Sequence, residues 1–174
     1  KDFHPYEDYK KSYAARKVLG GGVILSQIHE LDYMIFLFDD YKIKFQNSIV
    51  GKISDLDIDV EDTCAAQFLL SQKNKKIICQ IHTNFYEKPK KRQINIIGKR
   101  GKIFCDLNSG KIITLSNNKK KSFSFKIERN KIFLNEIKYF IKHVKKNKKI
   151  DKKLDLLNGA KSLKLAMELK KNDI

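Results

Sequence analysis

A chain of 174 residues, 41% hydrophobic and 10% aromatic, is long enough to bury a core and too apolar to be a disordered tail. Its longest apolar stretch, around Met34 to Phe38, is far too short to span a bilayer, no charged-then-apolar leader opens the chain, and the three spaced cysteines (Cys64, Cys79, Cys105) match neither a zinc pattern nor a disulfide framework. The net charge of +17 is lopsided, with 11 basic and 13 acidic side chains in residues 1–87 against 26 and 7 in residues 88–174.

These features predict a single folded domain over residues 1–174, with free thiols in a reducing, cytoplasmic setting and no membrane partner. A nucleic-acid footprint would have to use the lysines of 88–92, 119–121 and 142–153. Only four arginines are present, and no aromatics interleave with the lysine runs, so a solvated basic surface is the favoured reading and nucleic acid is not expected as a partner.

In chain order, Pro5 followed by Tyr6, Glu7 and Asp8 resembles a helix start, and Gly20–Gly22 then breaks the chain. Residues 23–38 read as one helix with a core-facing stripe of Ile24, Ile28, Leu31, Ile35 and Phe38. From 42 to 127 the period switches to two, predicting strands at 43–53, 64–71, 76–86, 93–98, 102–107, 111–116 and 122–127. The short turns at 72–75, 87–91, 99–101 and 108–110 imply hairpins. Two helices close the chain, at 130–146 (apolar at Phe133, Ile137, Phe140, Ile141, Val144) and 153–171 (apolar at Leu156, Leu157, Ala160, Leu163, Met167). The order predicts an α+β fold: an open, mostly antiparallel sheet with helices on one face and the other face left for a second copy or another domain.

His29 carries the most chemical information. It lies opposite the apolar stripe on a helix behind a glycine-rich turn, sharing its face with Ser26 and Tyr33, as acid–base work on a hydroxyl requires. A histidine that only hydrogen-bonds across an interface fits the same spacing. Upstream, His4, Tyr13, Arg16 and Lys17, with Tyr6 and Tyr9, form a polar-aromatic mixture able to line a carbohydrate or anion site, or simply a surface helix. His82 and Asn84 share a strand face and can reach a neighbouring cleft, whereas His143 sits in a lysine run and reads as surface. The strings 98–102 and 20–22 satisfy neither a P-loop nor a GxGxxG turn, and the acidic run Asp55, Asp57, Asp59, Glu61, Asp62 lacks the spacing of an EF-hand loop. No metal site is expected.

The stretch HPYEDYKKSYAARKVLGGGVILSQIHELDYMIFLF, residues 4–38, resembles the opening of the C-terminal domain of Gfo/Idh/MocA oxidoreductases, particularly those of bacterial surface-sugar biosynthesis, with Gly20–Gly22, His29, Asp32 and Tyr33 matching their motif. Residues 94–112 are similar to that family's GxxGxxxxD hairpin, and 133–169 to its closing helices. The resemblance implies a Rossmann nucleotide-binding domain upstream of Lys1 and NAD or NADP bound there rather than by this chain, which alone is not expected to be active. It further implies a sugar-like substrate, pairing of protomers through the sheet face, and His29 as the catalytic residue beside the reacting hydroxyl. Substrate contacts are then expected from His4, Tyr13, Arg16, Lys17, Ser26, Tyr33 and Asn84. Ser26 departs from the pattern, standing where the family usually has an aspartate, so a non-catalytic dimerisation or ligand-binding module remains a second reading, with a basic anion-binding domain as a third. Glu87-Lys88-Pro89 matches the family's lysine motif in letters only, since it falls in a hairpin turn.

Overall fold

The structure is a computed structural model and describes residues 7–172. It divides into two compact units, one of residues 1–86 with 151–174 and one of residues 87–150. His4 and Pro5 lie outside the described residues.

The first unit begins with three single-turn 3-10 helices, Tyr9–Lys11, Tyr13–Ala15 and Lys17–Leu19, where the sequence suggests one helix. Asp8 and Ser12 explain the fragmentation. Each side chain accepts a hydrogen bond from the amide two residues on, which closes a turn locally instead of letting a helix propagate. The helix expected over 23–38 is also divided, into α1 (Val23–Ser26) and α2 (His29–Leu37). Gln27 leaves helical geometry at φ −115° and ψ 30°, and its side-chain amide donates to the Asn84 carbonyl. The apolar stripe survives the break: Ile24, Leu31 and Ile35 are buried, with Met34 added, while Ile28 and Phe38 are partly buried.

Three antiparallel strands follow, β1 (Lys42–Gly51), β2 (Thr63–Gln72) and β3 (Lys75–Asn84), in the order β1-β2-β3. Register shifts between Phe45 and Asn47 on β1, where a bulge leaves Gln46 without a partner on β2. Cys64, Ala66, Phe68 and Leu70 alternate onto one face of β2 and meet Val23, Ile24, Leu31 and Met34 from α1 and α2. Ala166 and Leu169 complete this core from α4, the helix Leu156–Leu169 (the intervening helix, α3, is given below).

The α4 helix corrects the sequence expectation. Leu156 and Leu157 are 88% and 76% exposed, and Leu163 and Met167 are also exposed. The buried face is instead Asn158, Ser162, Ala166 and Leu169. Small side chains four apart let a helix approach its neighbour closely, and the polar ones are satisfied within α4. Lys161 donates to Asn158 Oδ1, Ser162 donates to the Gly159 carbonyl, and Asp155 caps the helix by accepting from the Asn158 amide at 2.7 Å.

The second unit is a four-stranded antiparallel sheet in sequential order: β4 (Gln93–Gly98), β5 (Gly101–Asp106), β6 (Lys111–Ser116) and β7 (Lys119–Ser124). The last strand begins three residues before the expected one. Asn117 and Asn118 both take positive φ (48° and 61°), forming a two-residue turn that asparagine tolerates. After β7 comes α3 (Arg129–Lys145), whose apolar residues Phe133, Ile137, Phe140, Ile141 and Val144 are all exposed. His143 is half-buried rather than on the open surface. Its ring lies 4.1 Å from that of Tyr139, and its Nδ1 is 2.8 Å from the Tyr139 carbonyl. The whole is α+β, with open antiparallel sheets and, in the first unit, helices on one face.

Candidate functional site

The site is best built outward from the glycines. Gly21 is wedged so tightly that a β-carbon would fall 2.5 Å from the Tyr13 carbonyl oxygen, and Gly22, at φ 110°, has the Glu61 carboxylate where its side chain would be. The Gly22 amide donates to the Ala14 carbonyl (2.9 Å) and the Val23 amide to the Glu61 carbonyl (3.0 Å). Lys170, just beyond α4, donates to the Gly21 carbonyl at 3.0 Å and to both Glu61 carboxylate oxygens at 3.1 and 3.2 Å. α1 therefore starts from a backbone position fixed by the 14–16 turn, the 61–62 segment and the end of α4.

From that anchor, α1 carries Ser26 and α2 carries His29 and Tyr33. Ser26 Oγ is buried and makes no hydrogen bond with any described residue. His29 is exposed at the first position of α2, and Tyr33, one turn on along the same helix face, is half-buried. Because the helix breaks at Gln27, the face shared by Ser26 and His29 is not set by a continuous helical period.

The 13–17 segment is held beside the glycines by its backbone and the buried Ala15, leaving the side chains of Tyr13, Arg16 and Lys17 in solvent. The Arg16 carbonyl accepts from the Gly21 amide (3.0 Å), and the Lys17 amide donates to Asp59 (2.7 Å). Tyr13, Arg16 and Lys17 are all exposed. The Asn84 carbonyl accepts from the side-chain amide of Gln27, the residue that ends α1. The Asn84 side chain pairs with His82 (3.2 Å) and accepts from the Tyr86 amide, on the face of β3 opposite the buried Thr83. The structure thus places Ser26 on α1 and His29 and Tyr33 one turn apart on α2, with the 13–17 backbone beside the glycines that precede α1, while the Asn84 side chain is directed to the other face of the sheet. His4 lies outside the described residues.

The acidic run proves to be four separate devices. Asp57 pairs with Lys10 at 2.7 Å in solvent, and hydrogen bonding to that ammonium, with its charge, lowers the carboxyl pKa. Asp59 receives Lys17, and Glu61 receives Lys170. Asp62 is fully buried. Burial pushes its carboxyl up, but bonds from the Ile53 amide, the Ser54 hydroxyl and amide, and the Thr63 hydroxyl outweigh this and hold it below the usual carboxylate value. Sequence reasoning misses Glu61 and Lys170 because they are 109 positions apart in the chain, and it misses Asp62 because its donors, at Ile53, Ser54 and Thr63, are brought to it by the fold of the 51–63 loop rather than by a regular period. Nothing in the local spacing separates them from the exposed Asp57.

Among the described residues, no group of histidine, cysteine and carboxylate side chains can hold a metal ion. The three cysteines are free, and burial together with the Glu61 charge pushes the Cys64 thiol up to about 11. No helix is long and apolar enough to cross a membrane. A hollow of about 460 Å³ lies against the far end of α2, lined by Ile35, Phe38, Tyr41, Lys161 and Leu165 among others, and does not reach His29. A dinucleotide does not fit the glycine-rich turn. Its backbone approach is filled by the Glu61 carboxylate and the Tyr13 and Ala14 carbonyls, which would repel a pyrophosphate.

No curated protein matches the sequence. Among solved structures, the chain is similar to UDP-N-acetylglucosamine 3-dehydrogenase GnnA from Acidithiobacillus ferrooxidans (14% identity, 97% of this chain on 50% of that one, TM-score 0.72). It is also similar to a Thermotoga maritima structure (13%, 96% on 50%, 0.73) and to biliverdin reductase from Synechocystis sp. PCC 6803 (12%, 92% on 48%, 0.60). At these identities the likeness is one of fold, and the chain spans about half the length of each. A family model described as "Oxidoreductase family, C-terminal alpha/beta domain" matches residues 2–165, and the chain belongs to that family, the C-terminal domain of the Gfo/Idh/MocA oxidoreductases.

Proposed function

We propose that this chain is the substrate-binding and assembly domain of a cytoplasmic NAD(P)-dependent oxidoreductase acting on a sugar or sugar derivative, with His29 exchanging a proton with the substrate hydroxyl. The observation that carries this reading is a buried Ser26 hydroxyl with no partner in the described chain, on a segment pinned from three sides and followed by an exposed imidazole at the start of α2. An orphaned buried hydroxyl in a well-packed region marks a place where polar chemistry is needed. Tyr13, Arg16 and Lys17, on the segment whose backbone bonds the glycines, are exposed and of a chemistry suited to a polyhydroxylated or anionic ligand. The nucleotide is assigned to a preceding domain, and no step of its chemistry falls to residues of this chain.

Assembly is assigned to the face of the β1–β3 sheet turned away from the helices, where Ile49 and Ile78 stand exposed. A second reading, a non-catalytic binding module, draws on Ser26 in place of the family's usual aspartate. One experiment separates the two. In the full-length protein, with a UDP-linked amino sugar as first probe, His29→Ala is expected to lower turnover by about 10²–10⁴-fold without moving the melting temperature. A catalytically competent parent that is indifferent to His29→Ala rejects the acid–base assignment.

A further inference from the structure

We propose that Lys170 and Glu61 are positioning residues, a partly buried ion pair that clamps Gly21–Val23 and so sets where α1 and α2 present Ser26 and His29. The inference deepens the reading above and rests on it for its link to catalysis. α1 is only four residues long, too short to hold a helical course by itself, so its direction must be imposed from outside. Beyond the backbone bonds of Gly21 and Gly22 to Arg16 and Ala14, the constraints come from two residues. Glu61 accepts the Val23 amide through its backbone and sets its carboxylate against the Gly22 α-carbon. Lys170 spends its three ammonium protons on the Gly21 carbonyl and the two Glu61 oxygens. The Glu61 side chain is 2% exposed and that of Lys170 26%, so the pair is shielded from water and salt at one end and tethered by the lysine stem at the other. Buried ion pairs add little net stability over apolar residues of the same volume, so the part this one plays is sought in the geometry its three directed bonds impose. Here that geometry is the positive φ of Gly22, from which α1 departs.

The test is backbone amide exchange on the chain itself. Lys170→Met keeps the aliphatic stem and removes the ammonium. It is expected to speed exchange at Val23, Ser26 and Gln27 by at least about tenfold while amides paired between β2 and β3 keep their rates. Lys170→Arg should restore slow exchange. Unchanged exchange at 23–27, or uniform acceleration through β2 and β3, overturns the proposal, because the pair would then be idle or merely stabilising. If Lys170→Met does not fold, Glu61→Gln with Lys170→Met removes the stranded carboxylate and is judged by the same two patterns. In the intact enzyme the clamp predicts that Lys170→Met lowers kcat about tenfold with KM nearly unchanged. Loosened 23–27 amides together with an indifferent His29→Ala would leave the clamp standing and remove the acid–base reading. A sensitive His29→Ala with unmoved amides would do the reverse.

Discussion

The two compact units use the same antiparallel hairpins and end with different interiors. In the first, β2 turns Cys64, Ala66, Phe68 and Leu70 onto a face covered by α1, α2 and α4, and these side chains are at most 2% exposed. In the second, β4 to β6 reach only half-buried positions and β7 is exposed throughout, and among the described residues no hydrophobic side chain between 87 and 150 is fully buried. Hairpin chemistry is therefore enough to make a sheet, while burial needs a second layer. The polar devices follow the same division. The pinned glycines, the Glu61–Lys170 pair and the saturated Asp62 all belong to the unit with the core, where water is excluded and a fixed direction can be held.

Substitutions can break or sharpen this contrast. The largest effect is expected from Phe68→Ala, which removes a 1% exposed ring and should cost about 3–5 kcal/mol. Ile97→Ala in the second unit, 79% exposed, should cost less than about 0.5 kcal/mol, both read from urea midpoints. Next is Gly22→Ala, which strains a φ of 110° and displaces the Glu61 carboxylate, at about 2–4 kcal/mol. Gly98→Ala, with a single ordinary contact at 4.0 Å, should leave the midpoint in place.

Asp62→Asn should cost about 1–3 kcal/mol near neutral pH, because an amide accepts fewer and weaker bonds than the carboxylate. The folded carboxyl titrates below its unfolded value of about 3.9. Its stabilisation is therefore complete above that pH and is lost as pH falls through the lowered folded value, so wild type and Asp62→Asn should converge in acid unfolding curves. The smallest effect belongs to the solvent-exposed Lys10–Asp57 pair, whose removal by Asp57→Asn should not measurably shift the melting temperature. Thiol labelling at pH 8 offers a further comparison. Cys105 should react well before Cys64, which is 2% exposed and whose pKa is pushed up to about 11.

Periodicity makes the strands legible because each hairpin is decided by neighbours. The 93–98 and 111–116 strands are found as read, and the rest of the first six are off by one or two residues at their ends. It fails where a distant partner or an unassigned turn decides. Gln27 leaves the helix for a carbonyl 57 positions away, and the paired positive φ of Asn117 and Asn118 shifts β7. On α4 the leucines suggest a core face, but the helix is seated by Asn158, Ser162 and Ala166, whose small size allows the approach. For the candidate site, His29 and Tyr33 are visible as a polar face on an amphipathic segment. The clamp that directs them joins residues 149 positions apart and leaves no local signature.

That separation also orders events in time. The hairpins of 93–124 close over a few residues each and can pair as soon as they are synthesised. The β1–β3 sheet must wait for Ala166, Leu169 and Lys170 before its apolar face is fully covered and Gly21 is fixed. With roughly 80 residues still to be added after Tyr86 at ~5–20 residues per second, the interval is on the order of ten seconds. Throughout it Phe68 and Leu70 lack the cover that α4 brings, so the growing chain exposes an apolar sheet face of the kind chaperones bind while residues 87–170 are being added.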